Sequence, residues 1–258
     1  MIPAISPRLW NAFGRYAEWY VPRHFHGVRL LGAGPPPAIK GTPTIVYLNH
    51  PSWWDPMICI LLARHLWPER KHYAPIDASA LERYRFFQKL GFFGVEQGTR
   101  RGGAMFLRTA REILRQPDTT LWITAQGQFT DIRRKPIALK PGLGHLLPHL
   151  QNALVVPLAI EYTFWDERHP EALTAFGPAI EVSQYEKREA NQWTLALEQR
   201  LGQATELLAA GAMSRDPSRF LLLRDGSAGV GFFYDQWLRA KAWLSGRQYH
   251  REHGAGVR

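Results

Sequence analysis

Apolar positions along the chain fall into two alternating rhythms: short unbroken runs, and longer stretches with helical spacing. Residues 44–48 (Thr44, Ile45, Val46, Tyr47, Leu48) form a compact run with the length and composition of a buried strand. Similar runs lie at 73–77, 91–95, 121–124 and 153–160, with a shorter one at 28–31. Between them the spacing predicts helices over 55–67, 79–90, with Ser79 as cap, 104–116 and 142–150. In the third of these, Phe106, Leu107, Ala110, Ile113 and Leu114 share one face. A longer helix over 183–210 carries the stripe Trp193, Leu197, Leu201 and Leu208. Strands alternating with helices predict an α/β domain, a mostly parallel central sheet covered by helices on both faces. The run 153–160 suits a strand buried on both faces, but Pro157 inside it calls for an edge or a bulge. Residues 161–164 and 175–182 read as a peripheral hairpin.

Peripheral amphipathic helices are predicted at both termini. Over 7–22, Leu9, Trp10, Phe13, Ala17 and Tyr20 share a face, with Tyr16 and Trp19 beside it and Arg8, Arg15 and Arg23 interspersed. That pattern fits a helix lying in a membrane interface and equally a helix packed on its own domain. Over 230–244, Phe232, Phe233, Trp237, Leu238, Trp243 and Leu244 fit a second interfacial helix or one that closes the core. No linker interrupts the chain. A single domain over 1–258 is expected, with residues 1–25 as a possible interfacial helix, 44–182 as the core sheet and 183–258 as a helical C-terminal part.

Charge narrows the choice of partner. The formal net charge of +10 calls for something anionic: nucleic acid, a membrane surface or a phosphorylated substrate. Zinc-finger spacing, an RNP-like string and a long basic tail are all missing, so no nucleic acid is expected. The single cysteine, Cys59, excludes an internal disulfide and a thiolate cluster, and no metal site is predicted. The glycine-rich segment 98–103 lacks the Walker A spacing. No secretory leader pattern and no 18-residue apolar window is present, which predicts a soluble or monotopic protein.

Candidate chemistry gathers where the 44–48 strand ends. Asn49 and His50 close it, Pro51 forbids simple continuation, and a helix then begins with Asp55 at the N-cap and Pro56 at the first helical position. This places an imidazole at the carboxyl end of a strand, where open α/β sheets put their ligands. On one helix, His50 and Asp55 would be splayed by roughly 140°. A turn between strand and helix can instead fold the carboxylate back onto the ring, leaving the outer nitrogen as a base toward a hydroxyl. The spacing fits equally a turn histidine and a capping aspartate.

The full string Asn49-His50-x4-Asp55, after its apolar strand, resembles the first signature of the glycerolipid acyltransferases typified by lysophosphatidic-acid acyltransferases. Further stretches match in the family's order. Residues 91–97 resemble the second block, with Gln97 where the family has arginine. Gln126, Gly127, Gln128 and Phe129 stand where it has Glu-Gly-Thr-Arg. Lys140-Pro141-Gly142 resembles the family's lysine-x-glycine downstream of that block, and residues 155–158, through Pro157, resemble the fourth block. The resemblance covers roughly residues 44 to 160. It implies an O-acyltransferase, with His50 as general base oriented by Asp55, that moves a fatty acyl group from an acyl-thioester to a hydroxyl. It implies no cofactor beyond an acyl-CoA or acyl-ACP cosubstrate, and a place at the cytoplasmic face of the membrane. Asn49, Gln97, Arg100, Arg101, Gln126, Gly127, Gln128, Arg133, Arg134 and Lys140 are the candidate substrate-binding residues.

Because the family's phosphate-holding arginines are replaced by Gln97 and Phe129, the expected acceptor is a lipid-like alcohol without a phosphate. Arg100, Arg101, Arg133 and Arg134 could restore a phosphate site, which would return the protein to ordinary phospholipid synthesis as a lysophosphatidic-acid acyltransferase. A non-catalytic lipid-binding relative is the alternative of another class.

Overall fold

The computed structural model describes residues 2–32, 34, 40–184 and 188–227. Helix α1 (Pro7–Tyr20) leads into strand β1 (Gly27–Leu31). Then come β2 (Thr44–Leu48), α2 (Asp55–Leu66), β3 (Lys71–Asp77), α3 (Ala78–Arg83), β4 (Phe92–Val95), α4 (Arg100–Leu114) and β5 (Thr119–Thr124). The chain continues through α5 (Gly142–Leu146), β6 (Leu154–Thr163), β7 (Glu171–Phe176), β8 (Ile180–Glu181), α6 (Ala190–Ser214) and β9 (Phe220–Asp225). The sheet order is β4-β3-β5-β2-β6-β7-β1-β9, with β8 pairing along β6. Strands β2 to β6 are mutually parallel, and the α/β prediction holds.

Strand β2 lies at the centre with all five residues buried, and its alternation divides the core. Ile45 and Tyr47 face a cluster built with α4, α5 and α6. Val46 and Leu48 face one built with α2. Each side is the period-two consequence of pleating.

The hairpin prediction needs revision. Strand β6 is one ten-residue strand, and β7 and β8 pair antiparallel with its two ends on the side away from β2. Pro157 is in a central strand, but it lies opposite the break where the register slips by one residue, between the Val155–Ile180 and Leu158–Phe176 pairs. Its carbonyl accepts from the Gly177 N–H, so the side of Pro157 without a donor faces the interruption between β7 and β8. A second revision concerns the C-terminal part. Residues 220–225 form a strand at the edge of the sheet, antiparallel to β1, rather than helix. The segment 230–244 lies outside the described residues.

Two helix starts also move. Asp77, not Ser79, caps α3, its carboxylate accepting from the Ser79 N–H at 2.9 Å. Thr99 caps α4 by accepting from the Gly102 N–H, so residues 100–103 are helical rather than loop.

Helix α1 packs on its own domain through Gly14 and Ala17. A Cβ at Gly14 would lie 2.3 Å from Arg64 Cδ, so a side chain there would displace the Arg64 arm that bonds Glu18. Trp10 stacks on buried His72 with 5.4 Å between ring centroids. Tyr16 and Trp19 on the outer side remain exposed.

Candidate active site

The turn from β2 into α2 folds as a base–carboxylate pair requires. His50 Nδ1 lies 2.6 Å from Asp55 Oδ2, with the Asp55 side chain fully buried and that of His50 17% exposed. Asp55 is the first helical residue, not the cap; Trp54 occupies the cap position. Its carboxylate accepts from the Ser52 N–H at 3.2 Å through Oδ2 and from the Tyr162 hydroxyl at 2.7 Å through Oδ1. These bonds, not helix amides, occupy the carboxylate. The positive end of α2 adds a favourable field for the buried charge. Because Nδ1–H donates to Asp55, Nε2 is the nitrogen left with a lone pair.

The segment after β5 clamps this turn. The Ala125 N–H donates to the Leu48 carbonyl, and the Thr130 N–H donates to the His50 carbonyl. Between them, Gln126 Oε1 accepts from the His50 N–H at 2.9 Å. The Phe129 ring lies against the imidazole, 4.4 Å between centroids, and is 61% exposed.

A family model for acyltransferases matches residues 27–161, more than half of the chain, and includes His50, Asp55, Gln126 and Phe129. The chain belongs to the acyltransferase family. The resemblance read from the His50–Asp55 block and its successors therefore holds at the level of the family. No curated protein matches the chain. A solved structure, the 1-acyl-sn-glycerophosphate (LPA) acyltransferase PlsC from Thermotoga maritima, is similar in fold: TM-score 0.53, 12% identity, covering 79% of each chain.

Of the residues predicted for this acyltransferase site, only some converge on His50. Gln126 does, as a clamp on the histidine backbone. Gly127 follows it at φ +67°, a left-handed conformation that favours glycine. Its N–H donates to the Thr124 carbonyl, so that amide is engaged within the turn and does not serve an oxyanion. The Lys140 stem lies across Gly127, and the Lys140 N–H donates to the Ala125 carbonyl. Asn49 is a correction to the substrate-binding set. It is buried, and both ends of its amide bond to the Ile160 backbone at 2.8 Å, which ties β2 to β6.

The arginines behave differently. Arg133 grips Asp131 through Nε and Nη2 at 2.9 and 2.6 Å and holds its carboxyl well below the ordinary range. Arg134 and Gln128 are exposed on the same loop. Gln97 is exposed beyond β4, while Arg100 and Arg101 are exposed on the first turn of α4. Strand β4 is three places from β2, roughly 14 Å at the usual strand spacing.

Two groups have no sequence signal. Tyr162 reaches Asp55 from β6, on the same face as Leu158 and Ile160. Only the continuation of the alternating pattern past residue 160 could have placed it there. The second is a buried cluster in which Glu171 bridges His26 Nδ1 and Arg29 Nε. The hydrogen bond to Glu171 raises the His26 pKa above its usual value. Among the described residues, no helix is long and apolar enough to cross a membrane.

Proposed function

We propose that this acyltransferase moves a fatty acyl group from an acyl-thioester to the hydroxyl of a lipid-like acceptor. The observation that carries this reading is the His50–Asp55 pair at the carboxyl end of β2, with Nε2 left as a base. Nε2 takes the proton of the acceptor hydroxyl as its oxygen attacks the thioester carbonyl. The new C–O bond forms, the tetrahedral intermediate collapses, and the C–S bond breaks. The thiolate departs with the proton returned from Nε2, so no acyl-enzyme is required. The buried Asp55 supports the imidazolium that exists between the two transfers.

The acceptor is proposed to carry no phosphate monoester. Phe129 puts an apolar ring beside the base where a fork-shaped donor would be needed, and Arg133 is already engaged by Asp131. The LPA acyltransferase reading depends on Arg100, Arg101 and Arg134 instead. Coenzyme A and acyl carrier protein are both anionic, so a net charge of +10 favours either donor.

The reaction is placed at the cytoplasmic membrane face with the protein peripheral. Tyr16, Trp19 and Trp53 are exposed, and ring contacts run from Tyr16 to Tyr20, from Tyr20 to Trp54 and from Trp54 to Trp53. This aromatic band borders the turn that carries His50, and Arg15 on α1 and Arg23 just after it are exposed. Aromatic rings interleaved with cations suit a lipid headgroup layer.

The test is direct. The protein is incubated with palmitoyl-CoA or palmitoyl-ACP and a lipid extract, and new esters are identified by mass spectrometry. An ester formed by wild-type protein and not by His50→Ala supports the reading. Folded protein that forms none with either donor is a non-catalytic relative.

A further inference from the structure

We infer that Tyr162 is a third member of the His50–Asp55 array, a positioning residue that holds the Asp55 carboxylate in place and tempers how strongly it draws on the imidazole. This role rests on the reading of His50 as the base.

The geometry assigns each oxygen of Asp55 its own task. Oδ2 faces the chemistry, accepting from His50 Nδ1–H and from the Ser52 N–H. Oδ1 points away and accepts from the Tyr162 hydroxyl at 2.7 Å. Asp55 is a fully buried charge, and a buried carboxylate needs donors on both oxygens. Tyr162 is the donor from the far side, and it is supplied by β6 rather than by the turn. The array is thus anchored to two neighbouring strands of the sheet. The other tyrosine on a neighbouring strand, Tyr47, donates to a backbone carbonyl, that of Leu197. Tyr162 donates to a side chain that reaches the base.

The Tyr162 ring is fixed independently of that bond. It packs on Phe25, with 5.5 Å between ring centroids, and Phe25 packs edge-on against Trp54, the residue before Asp55. Burial and the adjacent carboxylate both push the Tyr162 hydroxyl far up, so it stays protonated and remains a donor at any pH at which the protein works. A donor on Oδ1 withdraws charge from the carboxylate and weakens its pull on the imidazole proton. Removing that donor makes Asp55 more basic, strengthens the Nδ1–H···Oδ2 bond and favours the protonated imidazole. The base is then lost sooner as pH falls.

Tyr162→Phe tests this while keeping the ring. Two measurements are made on the full chain. The first is the low-field Nδ1–H proton resonance of His50 without substrate, which moves downfield in Tyr162→Phe. Because 3-fluorotyrosine at position 162 is a stronger donor, it moves the resonance upfield; this arm also serves if the phenylalanine variant does not fold. The second is the pH profile of kcat with palmitoyl-CoA and a long-chain primary alcohol. Its acidic limb moves toward alkaline pH by up to about one unit, giving up to a tenfold loss at low pH that fades above the limb. The Asp55→Asn background cancels the effect. An unmoved resonance in both variants, or a loss of kcat equal at every pH, overturns the proposal and leaves Tyr162 a packing residue. If no variant turns over the alcohol, the functional reading fails while the resonance still decides the role of Tyr162.

Discussion

Phe129 covers one side of the His50 imidazole, its ring centroid 4.4 Å away and tilted by 42°. A base whose neighbour is an exposed phenyl ring receives its substrate across an apolar surface. Hydrogen bonds to a charged group contribute roughly 1.5–3 kcal/mol each, and Phe129 offers none. Phe129→Arg combined with Gln97→Arg is expected to raise the preference for lysophosphatidic acid over a neutral lipid alcohol. Ester yields with the two acceptors in competition measure it. Wild-type protein that acylates lysophosphatidic acid and leaves neutral alcohols untouched would return the chain to ordinary phospholipid synthesis.

Removing the base should stop turnover without unfolding the protein. His50→Ala is expected to lower kcat by roughly 10²–10⁴-fold, with circular dichroism unchanged. Asp55→Asn should reduce it strongly as well. Asp55→Ser can satisfy a helix terminus but not an imidazolium, so it should not restore activity. Full activity in Asp55→Ser would reduce the carboxylate to a structural role.

The outer rings of α1 can be tested without disturbing its inner face. Gly14, Ala17 and Trp10 pack on the domain, so truncating the helix would expose the core. Tyr16→Ser with Trp19→Ser removes only exposed rings. Binding to vesicles containing anionic lipid, measured by sedimentation, should fall at least about tenfold, the scale of losing one apolar side chain's burial. The melting temperature should hold. Unchanged vesicle binding would remove α1 from the membrane contact.

His72 gives the fold an acid-sensitive point. Its Nδ1 accepts from the Trp122 Nε1–H, its Nε2–H donates to the Trp67 carbonyl, and burial lowers its pKa to about 4. The unfolded chain takes up this proton near pH 6.5, the folded chain only near 4. The stabilisation is therefore complete above 6.5 and lost as pH falls toward 4, by roughly 3 kcal/mol. His26, raised by Glu171, acts in the opposite sense: its contribution is present below 6.5 and lost as pH rises through its folded value. Denaturant midpoints from pH 7 to 4 should show a smaller acid loss in His72→Phe than in wild type. Equal slopes would mean that His72 does not carry the acid sensitivity.

Much of this fold is legible because the information is local. The run 44–48, the turn at Pro51 and the amphipathic spacing of α4 each declare themselves within a dozen residues. Misplaced elements depended on partners far along the chain. Pro157 is tolerated in a central strand because β7 and β8 leave a gap beside it, which no local pattern reveals. Residues 220–225 become a strand because β1 offers an open edge. At the site, His50 and Asp55 are five residues apart and readable together. Tyr162 is 107 residues from Asp55 and carries no signature of its own. Arg133 looked available in sequence because the nearby Asp131 could not be seen to hold it.

The paired bonds between Asn49 and Ile160 have a consequence for how the sheet ends. The carboxamide points one N–H and its C=O in the same direction, as a strand residue does toward its ladder partner. The Asn49 side chain thus impersonates a rung of the ladder, and Ile160 remains satisfied even though the backbone of β2 has already turned aside. The main chain at His50 is released from the pleat one residue early, so the geometry of the turn is dictated by Asp55 and Gln126 and not by the sheet. Asparagine is suited to this and aspartate is not, because a carboxylate would confront the Ile160 carbonyl with a second acceptor.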